Sequence, residues 1–155
     1  MKKRMPLALK VIAGALVAGA LAVAARAQAP VSAGLWEISS TMAGARAGND
    51  TRTGKACVSA DALVAAPERA LLEAAGRLGG GDRTPPKCEF RDIQREGARS
   101  TWLATCEGER GRMQGAGAGQ LSATAADLQQ SFSVNAPIGT ITLKQTVRAR
   151  RVGDC

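Results

Sequence analysis

Apolar and polar residues alternate with a period of two over much of this chain of 155 residues. This alternation is typical of β-strands that bury one face. It predicts strands over residues 34–42 and 51–58, separated by a loop over 43–50, and further strands after Cys106, one of them running through 119–125. The final strand is the clearest. Its apolar positions are Ile141, Leu143, Val147 and Ala149, and its polar positions are Thr140, Thr142, Lys144, Thr146, Arg148 and Arg150.

A helical insert is predicted after the second strand. Ser59 can cap a first helix, and Pro67 can open a second one because the first N–H groups of a helix have no intrahelical partner. The apolar stripe of the second helix is Leu71, Leu72, Ala75 and Leu78. We expect this stripe to pack on the sheet, and the three glycines at 79–81 to end the helix.

A hairpin is predicted over residues 88–106, because two strand-like runs flank a turn centred on Gly97. In a hairpin symmetrical about Gly97, residues at equal distance from it face each other. Cys88 then lies opposite Cys106, and the same register places Phe90 opposite Ala104 and Asp92 opposite Trp102. The two cysteines and the rings of Phe90 and Trp102 would share one face and one core.

The chain has four cysteines and no C-x-x-C pair, which favours structural disulfides over a redox or zinc site. Three pairings are open in principle. The hairpin geometry favours a Cys88–Cys106 bridge, which leaves Cys57 to pair with Cys155. With six or seven strands in hairpin order, we predict a mainly β fold on the border with α+β. It would be a single antiparallel meander sheet or an open barrel with one helical insert and two disulfides.

Residues 1–27 are typical of a cleaved signal peptide. Its basic N-terminal region contains Lys2, Lys3, Arg4 and Lys10, and an apolar run follows over residues 11–25. Ala25-Arg26-Ala27 is a small-x-small cleavage site. The apolar run is short for a membrane anchor. Cleavage would leave residues 28–155 as a single disulfide-stabilised domain. It removes five basic residues and no acidic one, so the net charge falls from +8 to +3, which argues against nucleic-acid binding.

The composition restricts the chemistry. The chain has no His, which excludes Ser-His and Cys-His nucleophile pairs, His-ligated zinc and imidazole proton shuttles. Its few aromatic residues argue against a groove for sugars or bases. The glycine-rich run over 115–119 lacks the lysine and the following helix of a phosphate-binding loop, and we expect it to let a ring or helix approach closely. The remaining candidates for acid and base catalysis are Glu89, Asp92, Glu107 and Glu109, which are more typical of exposed strand positions.

Two surfaces are candidates for binding. Lys144, Arg148 and Arg150 would line the outer face of the last strand and could contact an anionic partner, such as lipid headgroups or a cell-wall polymer. The alternative is a solvated strand whose charges prevent edge pairing. A curled sheet could also enclose a small apolar ligand.

Two motifs carry a resemblance to a known family. Gly34-Leu-Trp-Glu37 follows the predicted signal, and Arg151-Val-Gly-Asp-Cys155 closes the chain, with the Cys88 to Cys106 hairpin between them. In these features the chain resembles the bacterial exported family known as domain of unknown function 3617. The resemblance implies a periplasmic location, and without a Cys at the cleavage site we expect no lipid anchor.

From these observations we expect a periplasmic, non-enzymatic module that binds an envelope component or a small apolar ligand. We predict no catalytic, cofactor-binding or metal-binding residues and no cofactor. The alternative is a periplasmic enzyme that uses carboxylates or an unpaired cysteine.

Overall fold

The computed structural model describes residues 30–44, 49–78, 85–108, 111–137 and 139–155. The predicted signal segment, the glycines at 79–81 and Glu109 lie outside the described residues. The described elements, in chain order, are β1 (Gly34–Gly44), β2 (Asn49–Val58), α1 (Ala60–Ala65), α2 (Pro67–Arg77), β3 (Lys87–Glu96), β4 (Arg99–Gly108), β5 (Gly111–Leu121), β6 (Ala125–Ala136) and β7 (Gly139–Gly153).

The seven strands form one antiparallel sheet in the order β2-β1-β7-β6-β5-β4-β3. Strands adjacent in sequence are paired in this sheet, except β2 and β3, which are its two edges and are joined through the helices. The first and last strands, β1 and β7, pair with each other as the second and third strands from the β2 edge. The predicted mainly β fold with a meander is therefore confirmed as an open sheet with two helices.

The sheet curls around α2, so that its inner face holds the core. Trp36 from β1 and Trp102 from β4 belong to one buried cluster although four strand pairings separate their strands. The alternation predicted for β7 is confirmed, because Val147 and Ala149 are buried in this cluster while Arg148 and Arg150 are exposed. Burial of one face thus selects the register of each strand.

Helix α2 crosses the inner face of the sheet from one edge to the other. The side chain of Glu68 in its first turn bonds to Arg95 of β3 and Ser100 of β4, and Leu78 just past its end packs against Gly54 of β2. The predicted starts of both helices are confirmed. Ser59 caps α1 through a 3.4 Å bond from the N–H of Ala62 to its Oγ, and Pro67 is the first residue of α2.

The predicted role of the glycine-rich run is also confirmed in one position. Gly117 of β5 lies directly opposite Trp102 of β4, and a Cβ on Gly117 would overlap the indole ring. The absence of a side chain lets the ring lie flat on the neighbouring strand. The run is part of a strand, so it is not a loop that could surround a phosphate.

Three sequence expectations were wrong. The β3–β4 hairpin keeps the predicted register only from Lys87 to Arg91, after which a bulge shifts the pairing, so that Asp92 does not face Trp102. Residues 119–125 do not form one strand, because the chain turns at 122–124 between β5 and β6. The predicted loop over 43–50 is shorter, since β1 runs to Gly44 and β2 begins at Asn49. In each case the alternation of apolar and polar residues does not distinguish a regular strand from a bulge, a turn or a loop end.

Candidate functional site

Helix α2 divides the inner face of the sheet into a covered half and an uncovered half. Near α2, residues such as Leu71, Leu128 and Val147 are completely buried. Farther along the strands, towards the β1–β2, β4–β5 and β6–β7 connections, apolar inner-face side chains are only partly buried. We call this part the mouth half; its partly exposed residues are Met42, Met113, Val134, Ile141 and Leu143.

A row of polar side chains lies on the floor of the mouth half, next to α2. Trp102 Nε1 donates to Gln130 Oε1 at 3.5 Å, Gln130 Nε2 donates to Gln145 Oε1 at 2.6 Å, and Gln145 Nε2 donates to Ser40 Oγ at 3.1 Å. All four residues are less than one-tenth exposed. We call these four residues the polar row, and it joins β4, β6, β7 and β1 across the inner face.

Two glutamines interrupt the apolar faces of β6 and β7, and this interruption is a sequence signal for the row. Gln130 lies at the inward-facing position between Leu128 and Phe132, and Gln145 lies between Leu143 and Val147. An amide at such a position interrupts an otherwise apolar face, and two interruptions on neighbouring strands point to a pair. Gln130 and Gln145 are in fact directly opposite each other.

A second polar cluster fixes α2 to the sheet. Glu68 is completely buried and accepts two hydrogen bonds of 2.8 Å from Nε and Nη2 of Arg95 and one of 2.5 Å from Ser100 Oγ. Burial alone would raise the pKa of Glu68, but the bonds from Arg95 and Ser100 together hold it below its usual value. The bond to Glu68 in turn raises the pKa of Arg95. The carboxylate is therefore a fixed acceptor and not a proton donor at neutral pH.

The bulge in β3 makes this cluster possible. Asp92 takes a positive φ of 51° at the bulge, and the shifted register then places Ile93 against the core and Arg95 directly opposite Ser100. Without the extra residue, strict alternation would turn Arg95 to the outer face. The sequence prediction missed this contact because a bulge at an aspartate has no signal in the alternation.

The predicted basic residues Lys144, Arg148 and Arg150 are all exposed on the outer face of β7. Arg148 Nε lies 3.5 Å from Asp127 Oδ2, and Arg150 is directly opposite Glu37. Acidic neighbours thus offset two of the three cations, which weakens the attraction that this face offers to an anionic surface.

The predicted carboxylate candidates do not share a pocket. Glu89 and Glu107 are exposed, with Glu107 opposite Lys87, while Asp92 lies in the bulge. Among the described residues, no group of three or more His, Cys, Asp or Glu side chains could hold a metal ion. The three candidates that the structure describes, Glu89, Asp92 and Glu107, are therefore not arranged as an acid and base pair beside a cavity.

Both predicted disulfides are present. Cys88 and Cys106 are directly opposite in the hairpin with Cα atoms 4.0 Å apart, and Cys57 is bonded to Cys155 with Cα atoms 5.8 Å apart. All four cysteines are in these bridges, so none of them is a free thiol. The second bridge ties the last residue of the chain to β2.

The two motifs that carry the family resemblance meet in space. Arg151 Nε donates to the carbonyl of Ala33 at 2.7 Å, its Nη2 bonds to Asp154, and Gly34 packs against the backbone of Gly153. Trp36, within the first motif, is completely buried. These residues close the N-terminal strand onto the C-terminal end, and this structural role accounts for both motifs.

Two depressions on the described surface open between neighbouring strands. One of about 280 Å³ is lined by Ala116, Gly117, Ala118, Gln129, Gln130 and Ser131, and it opens between β5 and β6. A smaller one of about 120 Å³ lies between β3 and β4. Small side chains on β5 explain the first depression, which is shallow.

Comparison with known proteins gives the family. Over residues 31–155 the chain matches the family described as Protein of unknown function (DUF3617). No curated protein and no solved structure matches it. Within the part of the chain that the structure describes, no helix is long and apolar enough to cross a membrane. Because the match covers nearly all of the described residues, the chain belongs to the DUF3617 family of proteins of unknown function.

Proposed function

We propose that this chain is an exported, non-enzymatic module of the bacterial envelope that binds a small apolar ligand in the mouth half of its curled sheet. The observation that carries the proposal is the incomplete cover of the inner face. One half is closed by α2, whereas Met42, Val134, Ile141 and Leu143 in the other half are partly exposed. Apolar side chains on a concave surface are typical of ligand sites.

The side chains of the mouth half suit a ligand that is recognised mainly by its shape and apolar surface. Met42 and Met113 have flexible thioethers that can move aside or fill gaps around a bound molecule. Ile141 and Val134 are directly opposite each other near the β6–β7 connection. Burying such residues under a ligand would remove apolar area from water at about 25 cal/mol per Å².

Export is supported by two independent features. The N-terminal segment has the pattern of a signal peptide, and both disulfides are compatible with an oxidising compartment. We expect a periplasmic form that begins at Gln28, which the intact mass of the secreted protein would test. A mass that retains residues 1–27 would contradict this part of the proposal.

A non-enzymatic role is supported by the placement of the reactive groups. The thiols are all paired, and the buried carboxylate of Glu68 is held by Arg95 and Ser100. The exposed carboxylates Glu89 and Glu107 lie on the outer face of the β3–β4 hairpin, which is the face opposite to the mouth half.

Titration with the apolar dye N-phenylnaphthylamine tests the binding site. We expect saturable binding by the disulfide-bonded protein and at least a tenfold loss in Ile141→Glu, because a carboxylate in the mouth half must be desolvated by an apolar ligand. The matched control is Thr142→Glu, which adds the same charge one residue away on the outer face. Absence of saturable binding, or equal loss in both variants, would overturn the proposal.

A further inference from the structure

The two edge strands of the sheet differ in how they are protected from further pairing. Strand β3 has a bulge at Asp92, and six of its ten residues are charged. Strand β2 pairs with β1 in an unbroken register, and three of its ten residues are charged. Bulges and charges are the usual means by which proteins prevent an edge strand from pairing with another chain. The edge of β2 is therefore the better template for an added strand.

The first half of β2 presents the side chains that an added strand would contact. Residues 49–53 are all exposed. Asp50 and Arg52 lie on the inner face, and Thr51 lies between them on the outer face. Arg52 donates to Asp50 Oδ2 from Nε at 3.1 Å and from Nη2 at 2.9 Å, and Thr51 Oγ1 lies 2.9 Å from Thr41 Oγ1 of β1.

We propose that β2 pairs with β2 of a second copy of this chain, antiparallel and centred on Thr51. In that register Asp50 lies directly opposite the second copy's Arg52 on the inner face, and this contact occurs twice. The two Thr51 side chains face each other on the outer face and extend the row of hydroxyls that begins at Thr41. Opposite charges and paired threonines stabilise directly opposite positions of a sheet. Because the same segment is used on both copies, the pairing closes as a two-fold dimer.

Neighbouring registers lack this match. Centring the pairing on Asp50 or on Arg52 would place like charges directly opposite each other, which is destabilising. Centring it on Thr53 would place Arg52 opposite Gly54. It would also place Asp50 opposite Ala56, so that neither charge would have a charged residue directly opposite. The charges therefore select the register centred on the residue between them.

The ion pair within each chain is compatible with this contact. The side chains of Arg52 and Asp50 are 49% and 54% exposed, so neither is enclosed by its own chain. A guanidinium has five donor hydrogens, and a carboxylate accepts about four hydrogen bonds. Each group can therefore bond to its neighbour in the chain and to the second copy at the same time. The two arginines and two aspartates would then alternate in sign along and across the strands.

Sedimentation equilibrium at low ionic strength tests for the dimer, because salt screens exposed ion pairs. A protein concentration from about 10 μM to about 1 mM suits a small interface. We expect a monomer–dimer equilibrium for the disulfide-bonded wild type and at least tenfold weaker association for Arg52→Asp. The matched control is Arg69→Asp, which reverses an exposed arginine that pairs with Glu73 on α2 and should associate like the wild type.

Two charge variants of β2 test the register itself. Asp50→Arg and Arg52→Asp each place like charges directly opposite each other in their own dimers, so neither should associate alone. In a mixture of the two variants, opposite charges face each other at both positions. We expect the mixture to form heterodimers with an affinity within about threefold of the wild type, since the number of opposite-charge contacts between chains is restored. Circular dichroism checks that both variants fold.

Hydrogen exchange gives a readout that needs no substitution. Amides within residues 49–53 should exchange more slowly in the concentrated wild-type protein than in the dilute protein, because pairing satisfies the outward N–H groups of the edge. Amides of β3, at the other edge, should exchange equally in both.

The proposal fails if the wild type stays monomeric over the whole concentration range. Association of Arg52→Asp at the wild-type affinity, or a mixture that associates no better than its components, would assign the contact to another surface. Oligomers larger than a dimer would indicate pairing of β2 with β3 and would also contradict the two-fold contact. None of these outcomes depends on ligand binding in the mouth half, which the dye titration tests separately.

Discussion

Replacing Arg95 by Met should destabilise the fold much more than its partly exposed position suggests. The change leaves the completely buried Glu68 carboxylate with Ser100 as its remaining side-chain donor. Removing one partner of a fully buried ion pair costs about 3–5 kcal/mol. The side chain of Arg95 is 44% exposed, so solvent screens the pair and we discount this cost to about 2 kcal/mol. In a domain of this size the melting temperature should fall by roughly 8 °C.

Urea unfolding of the disulfide-bonded protein, followed by tryptophan fluorescence, measures this loss. The matched control is Arg91→Met, which removes an arginine from the same strand whose Nη2 makes one bond of 3.4 Å, to Thr105 Oγ1. We expect the control to lose no more than about 0.5 kcal/mol, as is usual for surface changes. Equal losses in Arg95→Met and Arg91→Met would refute the role of the ion pair.

The pH dependence gives a second readout of the same interaction. The pKa of Glu68 is lowered in the folded protein, so the stabilisation is complete above the usual carboxyl value of about 4.3 and is lost as the pH falls through the lowered pKa. The difference in unfolding free energy between wild type and Arg95→Met should therefore shrink in acid. A difference that stays constant from neutral pH to about pH 3 would contradict the ionic origin of the effect.

Further predictions concern the core and the chain ends. Gly117→Val should push the indole of Trp102 away from β5 and lower the unfolding free energy by at least about 2 kcal/mol. Tryptophan fluorescence during urea unfolding measures this loss, and the emission of the folded variant should be shifted to the red. Gly76 lies in α2, and a Cβ added there would have no neighbour within 4 Å. Gly76→Ala should therefore raise the unfolding free energy by about 0.5–1 kcal/mol. A lower unfolding free energy would show that this position is not a regular helix site. Replacing Cys57 and Cys155 together by Ser removes a bridge with a sequence separation of 98. In the entropic model this should lower the unfolding free energy by about 4–5 kcal/mol. An unchanged melting temperature would contradict the presence of that bridge.

Much of the fold could be predicted from alternation and turn residues. Burial of one face makes the period of two visible in β1 and β7, and Ser59 and Pro67 mark the helix starts by local chemistry. The Cys88–Cys106 pairing followed from the distance of each cysteine from Gly97. These features are local, so a single sequence contains them.

The parts that could not be predicted depend on long-range geometry. The bulge at Asp92 moves Arg95 to the inner face, where its partner Glu68 lies 27 residues earlier in the chain. Glu68 lies in a predicted helix, but nothing in the helical pattern shows that its side chain points into the core. Alternation also fails between β5 and β6, because the small and polar residues at 122–124 fit a strand as well as a turn.

The sequence predicted a kind of binding site but not the residues that would line it. A curled sheet around an apolar ligand was one of two binding hypotheses from the sequence, and we propose the mouth half as its location. The polar row could not be predicted in full, because the contact of Gln130 with Gln145 depends on the β6–β7 register and that of Gln145 with Ser40 on the β1–β7 pairing. The basic residues were placed on the correct face, but their acidic neighbours on other strands, such as Asp127, depend on the strand order.

Native mass spectrometry of the protein released from the periplasm of a bacterial host tests the central claim most directly. We predict a reproducible bound mass of a small apolar compound on the wild-type protein and on Thr142→Glu, and its absence on Ile141→Glu. A bare polypeptide mass for all three proteins, or a bound mass that Ile141→Glu retains, would contradict binding in the mouth half.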